Sequence, residues 1–432
     1  MAKQLYRTVE NLLEEIDHSA GDEQMLEDIL HLLVESDEMT ALGVVSGRLY
    51  KERPRDFKLT KSISGHGPGI IGRTVSKDYQ VVRDLQHNRL WVMTPDSPGW
   101  DPKVEAQFGD LDSAAIIVGR EPSYILSLGI RHHGSEDDLR VLLESIRASI
   151  GLKLREQALA GQMEQARIIQ QSLEPAHLPH LDGFEFAAIS RPAEVVGGDV
   201  YDLQEVEDGV VGLLLADASG HGLPAALQAR DVVIGMRMGI AEGEKITTTV
   251  SRLNRVIHRS GLTSRFISLF YCELEETGNL AYVNGGHCPP LILTPDGEVF
   301  ELKTSGPVLG PLPDAVYRRG FLNLRPGEVL VLFSDGVTER LQPDPGNLGD
   351  DTEGEQENEI VEFGREGLIR VAQACLDRSA EEIAKEILAQ VMAFGGDQAF
   401  DDDVSLMVIK RLPAENYPPS EALTRLSVQT NR

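Results

Sequence analysis

The chain has few cysteines, few basic residues and no long apolar run. Three cysteines in 432 residues are too few for a disulfide framework, so the sequence indicates a reducing compartment. No segment approaches the roughly 18 consecutive apolar residues of a membrane-spanning helix. Residues 1–17 are amphipathic and lack the apolar core of a secretion signal. We therefore expect a cytoplasmic protein.

Acidic residues outnumber basic ones, with 69 Asp and Glu against 41 Lys and Arg, giving a net charge of −28. Nucleic acids and anionic membranes attract positively charged surfaces, so this balance argues against both as partners. The simplest role of the charge is solubility.

A chain of 432 residues is too long for one ordinary domain. Helical and strand-like patterns alternate in blocks that are separated by proline-containing or strongly acidic stretches. We predict an N-terminal helix, a mixed α/β domain, a linker helix, a second and larger mixed domain, and a flexible tail, at 1–19, 20–152, 153–180, 181–412 and 413–432.

The predicted linker carries apolar residues seven positions apart, at Leu152, Leu159, Ala166 and Leu173. Such a repeat is typical of a two-stranded coiled coil, which would make the protein a homodimer through residues 1–19 and 136–173. Arg155 and Gln162 interrupt the seam, however, and a single long packed helix explains the same spacing. Pro175 ends the helix on either interpretation.

Residues 194–222 hold the most informative pattern. Gly197 and Gly198 precede Asp199, a polar turn follows, and the apolar run 210–216 then leads to Asp217. The two runs predict a β-hairpin with both acids at the same end, beside glycines that allow close backbone approach. Two carboxylates in that position indicate a divalent metal site.

Two further acids lie at predicted strand ends. Asp335 follows the apolar run 329–333, and Asp402 precedes the run 404–408. Taken alone, each acid has an ordinary explanation, because Asp is common in turns and charged residues often flank apolar strands to prevent aggregation. Together with Asp199 and Asp217 they would form a cluster of like charges that requires a cation, and oxygen ligands without His or Cys favour Mg²⁺ or Mn²⁺.

The order of motifs resembles the PPM-type Ser/Thr phosphatases, in the branch of the bacterial SpoIIE-like regulators. The motifs follow one another over roughly 165–411, as Ala-Arg-Ile-Ile-Gln at 166–170, Val-Gly-Gly-Asp at 196–199, Ala-Asp-Ala-Ser-Gly-His-Gly at 216–222, Arg-Phe-Ile-Ser at 265–268, Asn-Gly-Gly-His-Cys-Pro-Pro at 284–290, Gly-Pro-Val-Leu-Gly at 306–310, Phe-Ser-Asp-Gly at 333–336 and Asp-Asp-Val-Ser at 402–405.

The resemblance implies an αββα fold, a β-sandwich flanked by helices, with two Mn²⁺ or Mg²⁺ ions. Asp217 would bridge the ions with help from the Ala218 carbonyl, Asp199 would serve one ion, and Asp335 and Asp402 the other. The implied reaction is attack by a metal-activated water on a phosphoserine or phosphothreonine. The implied substrate is a phosphorylated anti-anti-sigma-like regulatory protein.

Several residues are weaker candidates. Asp202 and Asp403 could orient the metal ligands without binding the ions themselves, or could simply be solvated acids. His221 could protonate the leaving oxygen, although a structural role in a tight turn is an equal alternative. Arg191 is a candidate phosphate-binding residue. We interpret His287 as a packing residue.

The N-terminal region resembles a GAF sensor domain over residues 20–152, notably around Val81, Val82, Arg83 and Asp84. A sensor could bind a small molecule and shift the linker, which would bias the arrangement of the acids. Two other hypotheses remain. One is a catalytically inactive binding module, and the other is a nucleotide cyclase, because Gly197-Gly198-Asp199 begins like a diguanylate cyclase signature.

Overall fold

The computed structural model describes residues 21–41, 43–63, 70–94, 97, 101, 111–131, 136–260, 266–343 and 361–413. The predicted N-terminal helix at 1–19 lies outside these residues, as does the predicted tail beyond residue 413. The chain divides into two compact units, Met1–Gln162 and Met163–Arg432.

The first unit is built on one antiparallel sheet of six strands in the order β3-β2-β1-β6-β5-β4. Its strands are β1 (Val44–Glu52), β2 (Asp56–Ile63), β3 (Thr74–Ser76), β4 (Leu90–Met93), β5 (Asp112–Gly119) and β6 (Ser123–Ile130). Its helices are α1 (Asp22–Glu35), α2 (Asp37–Ala41), α3 (Gln80–Asn88) and the start of α4 (Glu136–Gln171). The predicted mixture of helices and strands is therefore present.

Two cores lie on opposite faces of this sheet. Helices α1 and α4 bury one face, because their apolar residues recur at helical spacing, as in Leu26, Ile29, Leu30 and Leu33 of α1. Helix α3 covers part of the other face with Val82 and Leu85. The sheet is thus packed on both sides.

Helix α4 is 36 residues long, and the division between the units falls within it. It starts earlier than the predicted linker and ends at Gln171, ahead of Pro175. Two of the predicted seam residues, Leu152 and Leu159, are 65% and 61% exposed, whereas Leu173 is buried. The homodimer stays a prediction.

The second unit is a sandwich of two antiparallel five-stranded sheets. Sheet one has the order β14-β11-β10-β9-β8 and sheet two has the order β13-β12-β15-β16-β7. The strands are β7 (Phe184–Arg191), β8 (Asp199–Glu207), β9 (Val210–Ala218), β10 (Ile267–Glu275), β11 (Asn279–Gly285), β12 (Leu291–Leu293), β13 (Val299–Glu301), β14 (Gly320–Asn323), β15 (Val329–Phe333) and β16 (Val404–Arg411).

Helices cover both outer faces of the sandwich. They are α5 (Leu223–Ala241) and α6 (Ile246–Arg259) on sheet one, and α7 (Asp335–Thr338), α8 (Gly364–Ala374) and α9 (Ala380–Gly395) on the side of sheet two. The strand period of two explains the layering, since Leu213 and Leu215 of β9 face the other sheet while Leu214 and Ala216 face α5 and α6. The predicted αββα sandwich is confirmed.

No helix in the described part of the chain is long and apolar enough to cross a membrane.

Candidate functional site

The predicted hairpin places Asp199 and Asp217 side by side. Strands β8 and β9 are antiparallel, and Asp199 lies directly opposite Asp217 in their register. Tyr201 and Leu215, two residues further along each strand, belong to the core between the sheets. The two aspartates share that face, so their side chains lie at the end of the inter-sheet core.

Asp335 and Asp402 reach the same end from sheet two. Strands β15 and β16 are antiparallel, with Phe333 opposite Leu406, so the end of β15 and the start of β16 meet at one edge. The Asp335 carboxylate accepts a hydrogen bond from the Gly336 N–H at 3.0 Å. The Asp402 carboxylate accepts one from the Asp403 N–H at 2.7 Å.

Electrostatic coupling shows that these acids form one group. Burial, followed by the negative charges of Asp335, Asp402 and Asp403, raises the pKa of Asp217 to about 7. Burial and then the Asp217 charge raise the pKa of Asp199 well above its usual range, while the hydroxyls of Ser334 and Ser405 oppose the shift. In the absence of a cation, the negative charge of each carboxylate disfavours ionisation of the others.

Asp403 holds the glycine loop that leads into Asp199. Its carboxylate accepts backbone N–H bonds from Ala193 at 2.8 Å, Gly198 at 2.5 Å and Asp199 at 3.2 Å. A side chain at Gly197 would lie 2.4 Å from this carboxylate. Asp403 therefore fixes the backbone that carries Asp199.

The pair of glycines is also required by the opposite strand. A Cβ atom at Gly198 would lie 2.4 Å from the Ala218 carbonyl oxygen. Because glycine lacks that atom, the backbone before Asp199 approaches the backbone after Asp217. The Ala218 carbonyl consequently lies against the glycine loop that precedes Asp199.

Two predicted residues are not brought into the group. Asp202 is three positions from Asp199 and lies on the opposite face of β8, where Arg237 binds both its carboxylate oxygens at 2.8 and 2.9 Å. Arg191 lies on the helix-covered side of sheet two, with its guanidinium 3.6 Å from the Met392 sulfur. Both side chains therefore lie away from the acidic group, on the helix-covered faces of their sheets.

His221 lies at the solvent rim of the group. Its ring is 86% exposed, and Nδ1 lies 2.8 Å from a carboxylate oxygen of Glu194. Its charge is close enough to Asp402 to oppose the upward shift in the pKa of that acid. An exposed imidazole thus lies near Asp402.

Other residues near the acids were not predicted. The Gln170 amide, at the end of α4, donates to the Gly197 carbonyl at 2.8 Å and accepts from the Gly197 N–H at 3.2 Å. Burial and the nearby carboxylates raise the pKa of Cys288 to about 12, which keeps this thiol protonated. Sequence spacing contains no signal for the Gln170 contact, because it joins two segments through backbone atoms.

The donor set fits a hard divalent cation. Asp199 Oδ2 is buried and has no hydrogen-bond partner in the described structure, so it is available to a cation. No three His, Cys, Asp or Glu side chains of the described residues are grouped closely enough to hold one ion. The oxygen donors suit Mg²⁺ in kind, since it commonly binds through one or two carboxylates and keeps several waters, but a site that uses Asp217, Asp335 and Asp402 on one ion requires these side chains to move closer together.

Part of the second unit is similar to a known protein family. Residues 207–412 match the family described as stage II sporulation protein E (SpoIIE). Asp217, Asp335 and Asp402 lie inside the matched residues, and Asp199 lies just before them. The chain is 28% identical to the phosphoserine phosphatase RsbU of Bacillus subtilis over 258 residues, which cover 59% of this chain and 72% of RsbU.

The chain is also similar to two other proteins. Protein IcfG of Synechocystis is 27% identical over 252 residues, which cover 50% of this chain and 40% of IcfG. The SiaA-PP2C domain of Pseudomonas aeruginosa superposes with a TM-score of 0.49 at 19% identity, covering 59% of this chain and 98% of that domain.

Asp217→Asn should raise the free energy of unfolding of the metal-free protein at pH 8 by about 1–3 kcal/mol. The substitution removes a negative charge that the neighbouring carboxylates repel and keeps the shape of the side chain. The pKa of Asp217 is about 7 in the folded state against an ordinary 3.8. As the pH falls from 7 towards 4, the folded wild type gains a proton that the unfolded chain lacks, so the wild type becomes more stable. The difference in the free energy of unfolding between wild type and Asp217→Asn should therefore decrease from pH 7 to pH 4.

Urea unfolding of both proteins in chelator at several pH values measures this difference. Asp208→Asn, at an exposed turn position, is the control and should have no effect. A difference that is constant from pH 8 to pH 4 would contradict the raised pKa of Asp217.

Proposed function

Because residues 207–412 belong to the SpoIIE family of PPM-type protein phosphatases, we propose that this protein hydrolyses phosphoserine or phosphothreonine in a regulatory protein, using two Mn²⁺ or Mg²⁺ ions. The observation that carries the proposal is the approach of Asp199 and Asp217 on sheet one to Asp335 and Asp402 on sheet two. The sandwich brings these four carboxylates to one end.

In this proposal Asp217 has the central role. It is coupled to Asp335, Asp402 and Asp403 and also to Asp199, which supports a carboxylate shared by both ions. Asp199 and the Ala218 carbonyl would hold one ion with it, and Asp335 and Asp402 the other. Bound there, divalent cations would lower the pKa of a water and stabilise charge on the phosphoryl group.

The residues of the chain itself supply positioning and proton transfer. Asp403 fixes the backbone of the loop before Asp199 through its three N–H contacts. His221 is exposed at the rim and oriented by Glu194, a position suited to protonating the oxygen that leaves phosphorus. Cys288 takes no part as a nucleophile, because its thiol stays protonated.

The substrate class rests on the relative. RsbU is described as a phosphoserine phosphatase, and an anti-anti-sigma-like phosphoprotein is the substrate we propose here. The acidic group at the end of the sandwich is shallow enough for Asp402 and His221 to be exposed. A phosphoserine side chain presented on a protein surface could therefore reach it.

We further propose that residues 20–152 form a GAF-like sensor that controls this site. Within the first unit, Arg48, Tyr50, Phe57 and Trp91 line a small cavity of about 70 Å³ between the sheet and α3, which would have to enlarge to admit a small-molecule ligand. Gln170, near the end of α4, would transmit the state of the sensor, because its side-chain amide hydrogen-bonds both the carbonyl and the N–H of Gly197. A shift of α4 would move the loop before Asp199 directly.

The enzymatic proposal predicts Mn²⁺-dependent release of phosphate from a phosphoserine protein. Asp217→Asn should lower the turnover rate by more than about 100-fold, since loss of a direct ligand exceeds the 10–100-fold typical of residues behind one. Asp208→Asn is the control and should retain full activity. Equal rates for wild type and Asp217→Asn would remove the proposed role, and an inactive wild type would favour a binding module.

The control proposal predicts a specific effect of Gln170. Gln170→Ala should raise the Mn²⁺ concentration for half-maximal phosphatase activity by about 10-fold, because Gly197 loses both amide contacts. Gln171→Ala offers a matched control, as the neighbouring side chain is exposed. If both variants respond to Mn²⁺ like the wild type, the contact does not transmit a signal to the site.

A further inference from the structure

A buried pair of polar side chains, Ser268 and His287, lies beside the acids and has no part in the scheme above. Ser268 on β10 is directly opposite Asp217 in the antiparallel register of β9 and β10. Because residues paired across neighbouring strands share a face, Ser268 continues the row formed by Asp199 and Asp217. Its hydroxyl oxygen lies 2.7 Å from His287 Nδ1, and both side chains are buried.

The His287 ring is held in place by its own backbone. Asn284 accepts a hydrogen bond from the His287 N–H at 2.9 Å and donates one to the His287 carbonyl at 3.1 Å. Asn284 is fully buried, and Gly286 has a φ of 75°, which is the left-handed turn that brings the chain back towards β10. The ring therefore has little freedom to leave Ser268.

The ring also lies close to sheet two. Nε2 is buried and has no hydrogen-bond partner among the described residues, and the backbone of Phe333 lies near the ring. Phe333 is the last residue of β15, two positions before Asp335. Burial lowers the pKa of His287 to about 4, so the ring is neutral at pH 7 and adds no charge between the sheets.

We infer that His287 is a positioning residue that sets the Asp217 side of the site against the Asp335 side. One nitrogen fixes the Ser268 hydroxyl beside Asp217, and the ring lies near the end of the strand that carries Asp335. This inference rests on the proposed function, because its consequence is the affinity of the acids for a divalent cation. Loss of the ring would let the two sheet ends adjust independently.

The test is Mn²⁺ binding to the full-length protein, followed by electron paramagnetic resonance of the free ion. His287→Ala and Ser268→Ala should each weaken binding by about 10-fold or more, within the range typical of residues that orient ligands. The double variant should bind Mn²⁺ no more weakly than His287→Ala alone, because Ser268 acts only through its contact with His287. His287→Asn, whose amide can replace Nδ1, should restore most of the affinity.

Thr294→Val is the matched control. Thr294 is a buried hydroxyl that bonds only the backbone of Glu298 in the β12–β13 turn, so its loss should leave Mn²⁺ affinity unchanged. Ser268→Ala and His287→Asn decide the question if His287→Ala fails to fold.

Three results would overturn the inference: unchanged Mn²⁺ affinity in these variants, affinity losses that add in the double variant, or an equal loss in Thr294→Val. Wild type that binds no Mn²⁺, or that binds it no better than Asp217→Asn, would overturn the proposed function as well. Normal wild-type binding with unaffected variants would overturn the inference alone.

Discussion

The structure of the second unit depends on a concentration of negative charge that the fold itself makes unfavourable. Asp217 and Asp199 have raised pKa values because they are buried and because each faces other carboxylates. Hydrogen bonds from the backbone and from serines offset only part of this cost. Such an arrangement persists where it serves a function, and a divalent cation is the partner that would convert repulsion into binding.

The rest of the sandwich can be understood as the support of that group. The two sheets fix the strand ends, and buried Leu213, Leu215, Leu330 and Leu332 make the core between them rigid. Loops then set the finer geometry: Asp403 holds the glycine loop, and Gln170 holds it from the linker side. Rigid strands and a few backbone contacts thus place acids that come from distant parts of the chain.

Much of this site could be predicted from sequence, since each principal acid stands at the end of an apolar run. Strand periodicity also explains why Asp202 lies away from the acidic group. Asp202 is three positions after Asp199, and residues an odd number of positions apart on a strand lie on opposite faces. The sequence alone therefore allowed this placement to be predicted. Strand spacing alone does not separate Asp402 from Asp403. The family resemblance gave the ligand role to Asp402, and the structure shows that the Asp403 carboxylate binds the glycine loop.

Contacts made through backbone atoms or turns were the least predictable. Gln170 binds main-chain groups of Gly197, so no residue type marks its partner. His287 meets Ser268 only because a glycine turn reverses the chain after β11. The GAF-like identity of residues 20–152 stays a prediction, although a six-stranded sheet with helices on both faces is present there.

The central claim is that the four acids bind divalent cations at one end of the sandwich. Anomalous diffraction at the manganese edge from Mn²⁺-soaked crystals tests it most directly. We expect two manganese peaks between the ends of β9 and β15, with a carboxylate oxygen of Asp217 within about 2.0–2.3 Å of both. Peaks found only elsewhere, or none at saturating Mn²⁺, would contradict the account.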